Sequence, residues 1–360
     1  MTSAPMGNYL ESSNGHSVQV VQPRSPRQRA VPREARAIRR ILVCIDRSPL
    51  SESCLQHAIA ISKSLGGAIT LLHVVQPPAE RPGQSMDVLD WEVSRQEASA
   101  YMERLEREGT AASGQHVETR LEQGHPSERI TAVVREIGAD LVVVGTHGGR
   151  GAAAWNLGST VMQVLAVTRG SVLIARPSSA DAREVSPKRI LVPLDGSTRT
   201  ESVLPTAVRI AKKYGAELLL VMVVRDLAPT AVLCAQEDVD VARDLARRLE
   251  AGGNAYLEGL RDQLVREGAS VRATVLRSLD EKQSLLDFSQ RERSDLVVLS
   301  AHGATCNPAV TFGSVTAHHL THSVVSLLVL QDLRDADFRE QEKDERAPPL
   351  RASFPPSGDV

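Results

Sequence analysis

Two kinds of residue in this sequence could act on a small ligand. The first is an aspartate that closes an apolar run: Asp46, after Ile41–Ile45, in Arg40-Ile-Leu-Val-Cys-Ile-Asp-Arg-Ser48. A carboxylate there could accept hydrogen bonds from an adenine amine or from ribose hydroxyls; it could equally cap the helix that follows. The second is a glycine-rich stretch, Gly145-Thr-His-Gly148-Gly-Arg-Gly151-Ala-Ala-Ala-Trp-Asn-Leu-Gly158-Ser159-Thr160. Glycines let backbone N–H groups turn toward an anion with no Cβ in the way. Gly158-Ser159-Thr160 stands where a helix is predicted to begin. Its free N–H groups, dipole and two hydroxyls favour phosphate there. Arg150 either adds charge or is a solvated loop residue.

Other chemistries are excluded or ranked lower. The turn after the first apolar run carries Asp46 instead of GxGxxG, and a carboxylate there repels pyrophosphate. No GxxxxGK[ST] occurs either, which argues against a P-loop NTPase. His147 and His302 each precede a loop glycine and are read as exposed loop histidines ahead of catalytic bases. His318 and His322 have helical ligand spacing but no nearby Cys or carboxylate, so they are read as surface residues. Cys44, Cys54, Cys234 and Cys306 form no CxxC pair, against a disulfide framework or a Cys-based zinc site. Cys44 is read as a small buried apolar residue, with redox sensing a minor option at Cys234 and Cys306. Trp155 is either a lid over the ligand or an anchor for its loop.

The elements that must position these residues occur twice. Arg40-Ile-Leu-Val-Cys-Ile-Asp46-Arg-Ser48 returns as Arg189-Ile-Leu-Val-Pro-Leu-Asp195-Gly-Ser197, offset by 149. Asp140-Leu-Val-Val-Val-Gly-Thr-His-Gly148 returns as Asp295-Leu-Val-Val-Leu-Ser-Ala-His-Gly303, and Gly158-Ser159 as Gly313-Ser314, both offset by 155. Each copy alternates short Val/Leu/Ile runs with helical patterns, which requires parallel crossovers and a sheet buried on both faces. The predicted fold class is α/β: two tandem, doubly wound, Rossmann-like domains, each a five-stranded parallel sheet flanked by helices. Predicted strands are 41–45, 69–75, 117–121, 141–145 and 171–176, then 190–194, 218–224, 271–276, 296–300 and 325–330. Residues 1–37 are read as a disordered basic tail, 38–177 and 187–331 as the domains, 178–186 as a linker and 332–360 as a charged tail. The composition agrees: 360 residues hold two Trp, four Tyr and four Phe, so the cores must be aliphatic. The net charge of −2 gives no basic field for nucleic acid. No apolar run spans a bilayer and the N-terminus does not read as a secretory signal, so a cytoplasmic protein is expected.

Gly145-x2-Gly148-x9-Gly158-Ser/Thr, the duplicated Ile-Leu-Val-x-x-Asp-x-Ser and Gly124-His-Pro126 together resemble the ATP-binding universal stress proteins. The resemblance covers both repeats. It implies a stress-response regulatory protein, not an established metabolic enzyme. It also implies domains that pair through their last strands, here within one chain, with a homodimer or an unidentified protein partner as further options. Carried over by position, Asp46 and the Ile69 backbone would meet adenosine and Gly145 the ribose. Gly148, Gly158, Ser159 and Thr160 would hold the phosphates of ATP, with Mg2+ or Mn2+ and no metal ligand from the protein. Repeat 2 departs from the pattern. Ser300 replaces the first glycine, no Gly-x-Pro follows the third strand, and Glu217 stands where repeat 1 has Ile69. A weaker second site would use Asp195, Gly303, Gly313, Ser314 and Val315. Slow ATP hydrolysis, and an interaction module without nucleotide, are the alternatives.

Overall fold

The computed structural model describes residues 37–76, 88–146, 157–167, 170–176, 185–226, 236–305 and 310–331. Residues 1–36 of the expected N-terminal tail, the expected C-terminal tail, residues 178–184 of the linker, and His147, Gly148, Arg150, Trp155, Cys234 and Cys306 lie outside these. The first half runs β1 (Arg40–Ile45), α1 (Pro49–Leu65), β2 (Ala68–Val75), α2 (Val88–Ser113), β3 (Val117–Gln123), α3 (Pro126–Ile137), β4 (Leu141–Gly145), α4 (Ser159–Val167) and β5 (Ser171–Ala175). The second half repeats it: β6 (Arg189–Pro193), α5 (Thr198–Glu201), α6 (Leu204–Tyr214), β7 (Glu217–Arg225), α7 (Gln236–Arg266), β8 (Ser270–Ser278), α8 (Glu281–Arg291), β9 (Leu296–Ser300), α9 (Ser314–His322) and β10 (Ser326–Leu330). All ten predicted strands are present. The helix of repeat 1 that begins near residue 49 is broken in repeat 2 into α5 and α6.

The strands form one sheet in the order β3-β2-β1-β4-β5-β10-β9-β6-β7-β8. Pairing is parallel within each half and antiparallel where the halves meet, with Val172 opposite Val329, Leu173 opposite Leu328 and Ile174 opposite Leu327. The predicted edge-to-edge pairing of last strands is therefore the geometry of the chain. Alternation along β1 sends Ile41, Val43 and Ile45 into the layer under α1, α2, α6 and α7. Leu42 enters the opposite layer, under α3, α4, α8 and α9. Each layer draws residues from both repeats, so both cores run through the junction. On the first layer, Arg209 Nη2 donates to the Leu65 carbonyl at 3.2 Å and Tyr214 Oη to that of Ala60 at 3.0 Å, tying α6 to α1.

The duplicated Asp140 and Asp295 are structural. Asp140 Oδ2 accepts from the backbone N–H groups of Arg39 and Arg40 at 2.9 and 3.0 Å, joining the start of β1 to that of β4. Asp295 Oδ2 does the same for Lys188 and Arg189 at 2.7 and 2.8 Å. Glu217 is likewise structural, contrary to expectation. Residue Leu218, not Glu217, is the register equivalent of Ile69, because Ile190 faces Leu218 as Ile41 faces Ile69. Glu217 lies at the amino ends of the strands, beside Arg189 and Arg272, far from any carboxyl-end site.

Leu173 sits on the junction strand and is 1% exposed. Leu173→Ala should cost ~2–5 kcal/mol in urea denaturation. Because both cores cross the junction, amide exchange should accelerate together in β1 and β6, within one unfolding transition.

Candidate nucleotide site

Ligand sites in open α/β sheets form beyond the carboxyl ends of the strands. In the first half, a cavity of about 800 Å³ opens there, lined by Asp46, Ser51, His73, Pro126, Ile130, Gly145, Gly158, Ser159 and Thr160 among others. Its volume lies in the range of sites for small organic ligands. Asp46 does not cap α1 itself. Its Oδ1 accepts from Ser48 N at 3.0 Å and Ser48 Oγ at 2.5 Å, and Ser48 Oγ caps the helix by accepting from Ser51 N at 3.1 Å. The exposed Asp46 is thereby fixed at one side of the cavity.

The start of α4 also lines the cavity. The Gly158 N–H donates to the Thr146 carbonyl at 2.8 Å, so it is not an available phosphate donor. The Met162 N–H closes the first helical bond, to the Gly158 carbonyl at 3.0 Å, leaving the N–H groups of Ser159, Thr160 and Val161 at the helix terminus. Gly145 serves packing: a Cβ there would come within 3.3 Å of Leu50 Cγ and 3.6 Å of Cys54 Sγ on α1. Ile69 does not belong to the site. It sits at the amino end of β2, 1% exposed within the core, whereas Leu72 to Val75 at the carboxyl end line the cavity.

Sequence reasoning missed His73, Ser94, Pro126 and Ile130, which come from β2, α2 and α3. His73 interrupts an otherwise apolar strand end, a signal that was available. Its Nδ1 donates to the Ile45 carbonyl at 2.7 Å, leaving Nε2 as the ring's acceptor. Burial, with Arg47 nearby, lowers its pKa against the opposing effects of the Ile45 bond and Asp46. The ring is therefore neutral at pH 7. Among the described residues it is the one aromatic ring of the cavity, whose apolar walls are side chains such as Val74, Val75, Val144 and Val161. Cys44 also lines the cavity, its thiol pushed up to about 12 by burial, and is unreactive near neutrality.

The second half carries the same scaffold with the site shut. Only about 50 Å³ remains, between Asp195, Thr200, Glu281, Ser300, Gly303 and Val315. Asp195 Oδ1 holds Ser197 N and Thr200 Oγ1, both at 2.8 Å, as Asp46 holds Ser48. Its Oδ2 accepts from Ala304 N at 2.7 Å, which draws the following loop onto the carboxylate. Gly303 makes that approach possible, since a Cβ there would meet Asp195 Oδ2 at 2.6 Å. Partial desolvation works to raise the Asp195 pKa, but the bonds from Ser197, Thr200 and Ala304 outweigh it and hold it below the usual range.

Where α3 begins with Pro126, α8 begins with Glu281. Desolvation and the Asp195 charge raise its pKa. The position equivalent to Thr160 is Val315, which lacks a hydroxyl. His302, expected to be exposed, is 1% exposed, with Nε2 against the Val310 carbonyl at 2.8 Å. The Gly313 N–H is bonded to the Ala301 carbonyl at 2.8 Å, and Ser314 starts α9. His318 and His322 stack at 4.2 Å, and among the described residues no three His, Cys, Asp or Glu converge as a metal site.

Two parallel five-stranded halves, fused through their last strands and with carboxyl-end pockets, define a tandem doubly wound α/β protein. The family model described as the universal stress protein family matches residues 37–176 and again 187–331. The chain belongs to the universal stress protein family and carries two of its domains in tandem. A universal stress protein of Methanocaldococcus jannaschii is 24% identical over 144 residues, 40% of this chain and 82% of the relative. Solved structures share the tandem fold. A universal stress protein from Archaeoglobus fulgidus matches with TM-score 0.55 and 20% identity, over 82% of this chain and 98% of that one. A functionally unknown protein from Pseudomonas aeruginosa, PA1789, matches with TM-score 0.56 and 17% identity, over 85% and 96%. Among the described residues no helix is long and apolar enough to cross a membrane.

The neutral His73 makes a signed prediction. Its folded pKa lies below the unfolded value, so the unfolded chain binds more protons below about pH 6.5 and stability falls with acidification. His73→Met, copying Met222 at the equivalent position, should lack this contribution. Urea denaturation at pH 7 and pH 5 should show a smaller stability loss for the variant than for the wild type.

Proposed function

We propose that the chain is an adenine-nucleotide-binding regulatory protein of the stress response, with one working site, in the first domain. The observation that carries this reading is the contrast between equivalent places on one duplicated scaffold: about 800 Å³ in the first domain and about 50 Å³ in the second. The open cavity is bounded by a carboxylate, Asp46, suited to a ribose or an amine. Its lining also includes Ser159 and Thr160, whose hydroxyls and helix-terminal N–H groups are suited to phosphate. Aliphatic walls and the His73 ring would hold the adenine, since no Trp, Tyr or Phe lines the cavity among the described residues.

ATP fits this division of polarity along the cavity. Mg2+ or Mn2+ would be held by the phosphates and water. In the second domain, the Ala304–Asp195 bond and Glu281 stand where ribose and phosphate would need to enter, so that domain serves as the structural partner. The cytoplasm is the expected compartment, and occupancy of the first site would set partner choice.

Calorimetric titration with ATP should give one nucleotide per chain. Ser159→Glu, which sets a carboxylate at the start of α4, should weaken binding by about tenfold or more. Equal affinity in both proteins would remove the site assignment. Labelled phosphate released by the wild type, and not by the variant, would replace a binding role with hydrolysis.

A further inference from the structure

Helix α7 carries two apolar rows. One lies on the sheet: Leu257, Leu260 and Leu264 are buried where α7 packs on β7 and β8. The other is exposed. Val241, Leu245 and Leu249 stand at i, i+4 and i+8, which sets them in one line along the helix. They are 68%, 46% and 42% exposed. A helix that covers a sheet needs one apolar stripe and is otherwise polar. Exposed apolar side chains scattered singly are ordinary. Among the described residues no other helix aligns three of them.

The exposed row lies past the end of the sheet. A Cβ on the buried Gly253 would meet Met222 Sδ at 3.2 Å and Val224 Cγ1 at 3.5 Å. Glu250 Oε2 lies 3.6 Å from Arg277 Nη1. Val224 and Arg277 are the next-to-last residues of β7 and β8. The helix therefore reaches the carboxyl ends of these strands near residues 250–253. The turns before Glu250 continue beyond them, for about 20 Å. Val241, Leu245 and Leu249 belong to this projecting end, which a second molecule can approach.

Charge selects the occupant. Asp244 and Arg248 form the neighbouring row, at i and i+4, and pair with each other at 2.7 Å on the surface. That row is acidic at one end and basic at the other. A parallel copy would set Asp244 beside Asp244 and Arg248 beside Arg248. A copy related by a two-fold axis through Leu245 runs antiparallel instead. It brings each Asp244 toward the other chain's Arg248, sets Leu245 against Leu245, and sets Val241 against Leu249. Rows of residues four apart are the ridges that interdigitate in the commonest helix pairing. One patch then serves both chains, as a two-fold contact requires.

We propose that residues 241–249 of α7 are a self-association surface, on which a second copy of this chain docks antiparallel. Two helix ends bury less area than a stable dimer needs, so the dimer is weak and set by concentration. The surface gives the second domain, whose pocket is shut, a role of its own. It is independent of the nucleotide reading, since no described residue of α7 lines the first-domain cavity.

Sedimentation equilibrium of the full chain, from about 10 µM to about 500 µM, should show the average mass rising from one chain toward two. Leu245→Glu should weaken the dimer about tenfold or more, with the melting temperature at low concentration unchanged, because the side chain is half exposed. Asp244→Arg and Arg248→Asp should each self-associate about tenfold more weakly. An equimolar mixture of the two should recover, which an effect within one helix could not produce. Cross-linking reads the register, in chains that also carry Cys234→Ser and Cys306→Ser. Mild oxidation should join Leu245→Cys chains into covalent dimers, whereas Val241→Cys and Leu249→Cys chains should join when mixed and not alone. A mass of one chain at every concentration overturns the proposal. So does a dimer that survives Leu245→Glu, which places the contact elsewhere. Val241→Cys chains that join as well alone as in the mixture make the pairing parallel and overturn it too.

Discussion

The antiparallel pairing of β5 with β10 is the constraint on which the rest of the structure depends. Each is a last strand whose inward and outward faces are both covered, so water cannot satisfy its backbone and the partner strand must. Val172, Leu173 and Ile174 meet Leu327, Leu328 and Val329 with almost no exposed surface. Through this pairing two small aliphatic cores become two continuous layers. It also sets the strands of the two halves running in opposite directions. Their carboxyl ends, and hence the open and shut pockets, consequently face opposite ways along the sheet.

One scaffold thus has two outcomes. The aspartate after the first strand of each half organises the next helix in the same manner, through Ser48 in one case and Ser197 and Thr200 in the other. What differs is the second oxygen of Asp195, bonded to Ala304, and the exchange of a proline for Glu281 at the adjacent helix start. A few substitutions at strand and helix ends suffice to close a pocket while strand order, register and the Asp140 and Asp295 joints persist.

The strands were legible because burial on both faces leaves near-continuous Val, Leu and Ile runs, and the duplication was legible as repeated strings. That Asp46 and the Gly158–Thr160 helix start lie at one carboxyl-end cavity was legible because strand ends and helix starts follow from local pattern. Ile69 was misplaced because its role was carried over by position, whereas register sets it at the amino end of β2, opposite the cavity. His73, Ser94, Pro126 and Ile130 are separated in sequence and converge only when α2 and α3 cover the sheet. Glu281 gave no sign of closing a pocket, since a carboxylate in a first helical turn is what the helix dipole favours anywhere. The Asp195–Ala304 bond depends on a loop fold that no local pattern announces.

Covalent fusion changes what evolution can write at the β5–β10 seam. In a homodimer with a two-fold axis, every substitution appears twice, and a buried cation accepted on one side must be tolerated on the other. Linking the copies removes that duplication: Arg176 and Gln331 occupy corresponding corners without having to match. The tandem chain is a dimer released from its own symmetry, able to keep one half as a frame while the other half, and the seam between them, acquire features that a self-paired molecule would have to carry in duplicate.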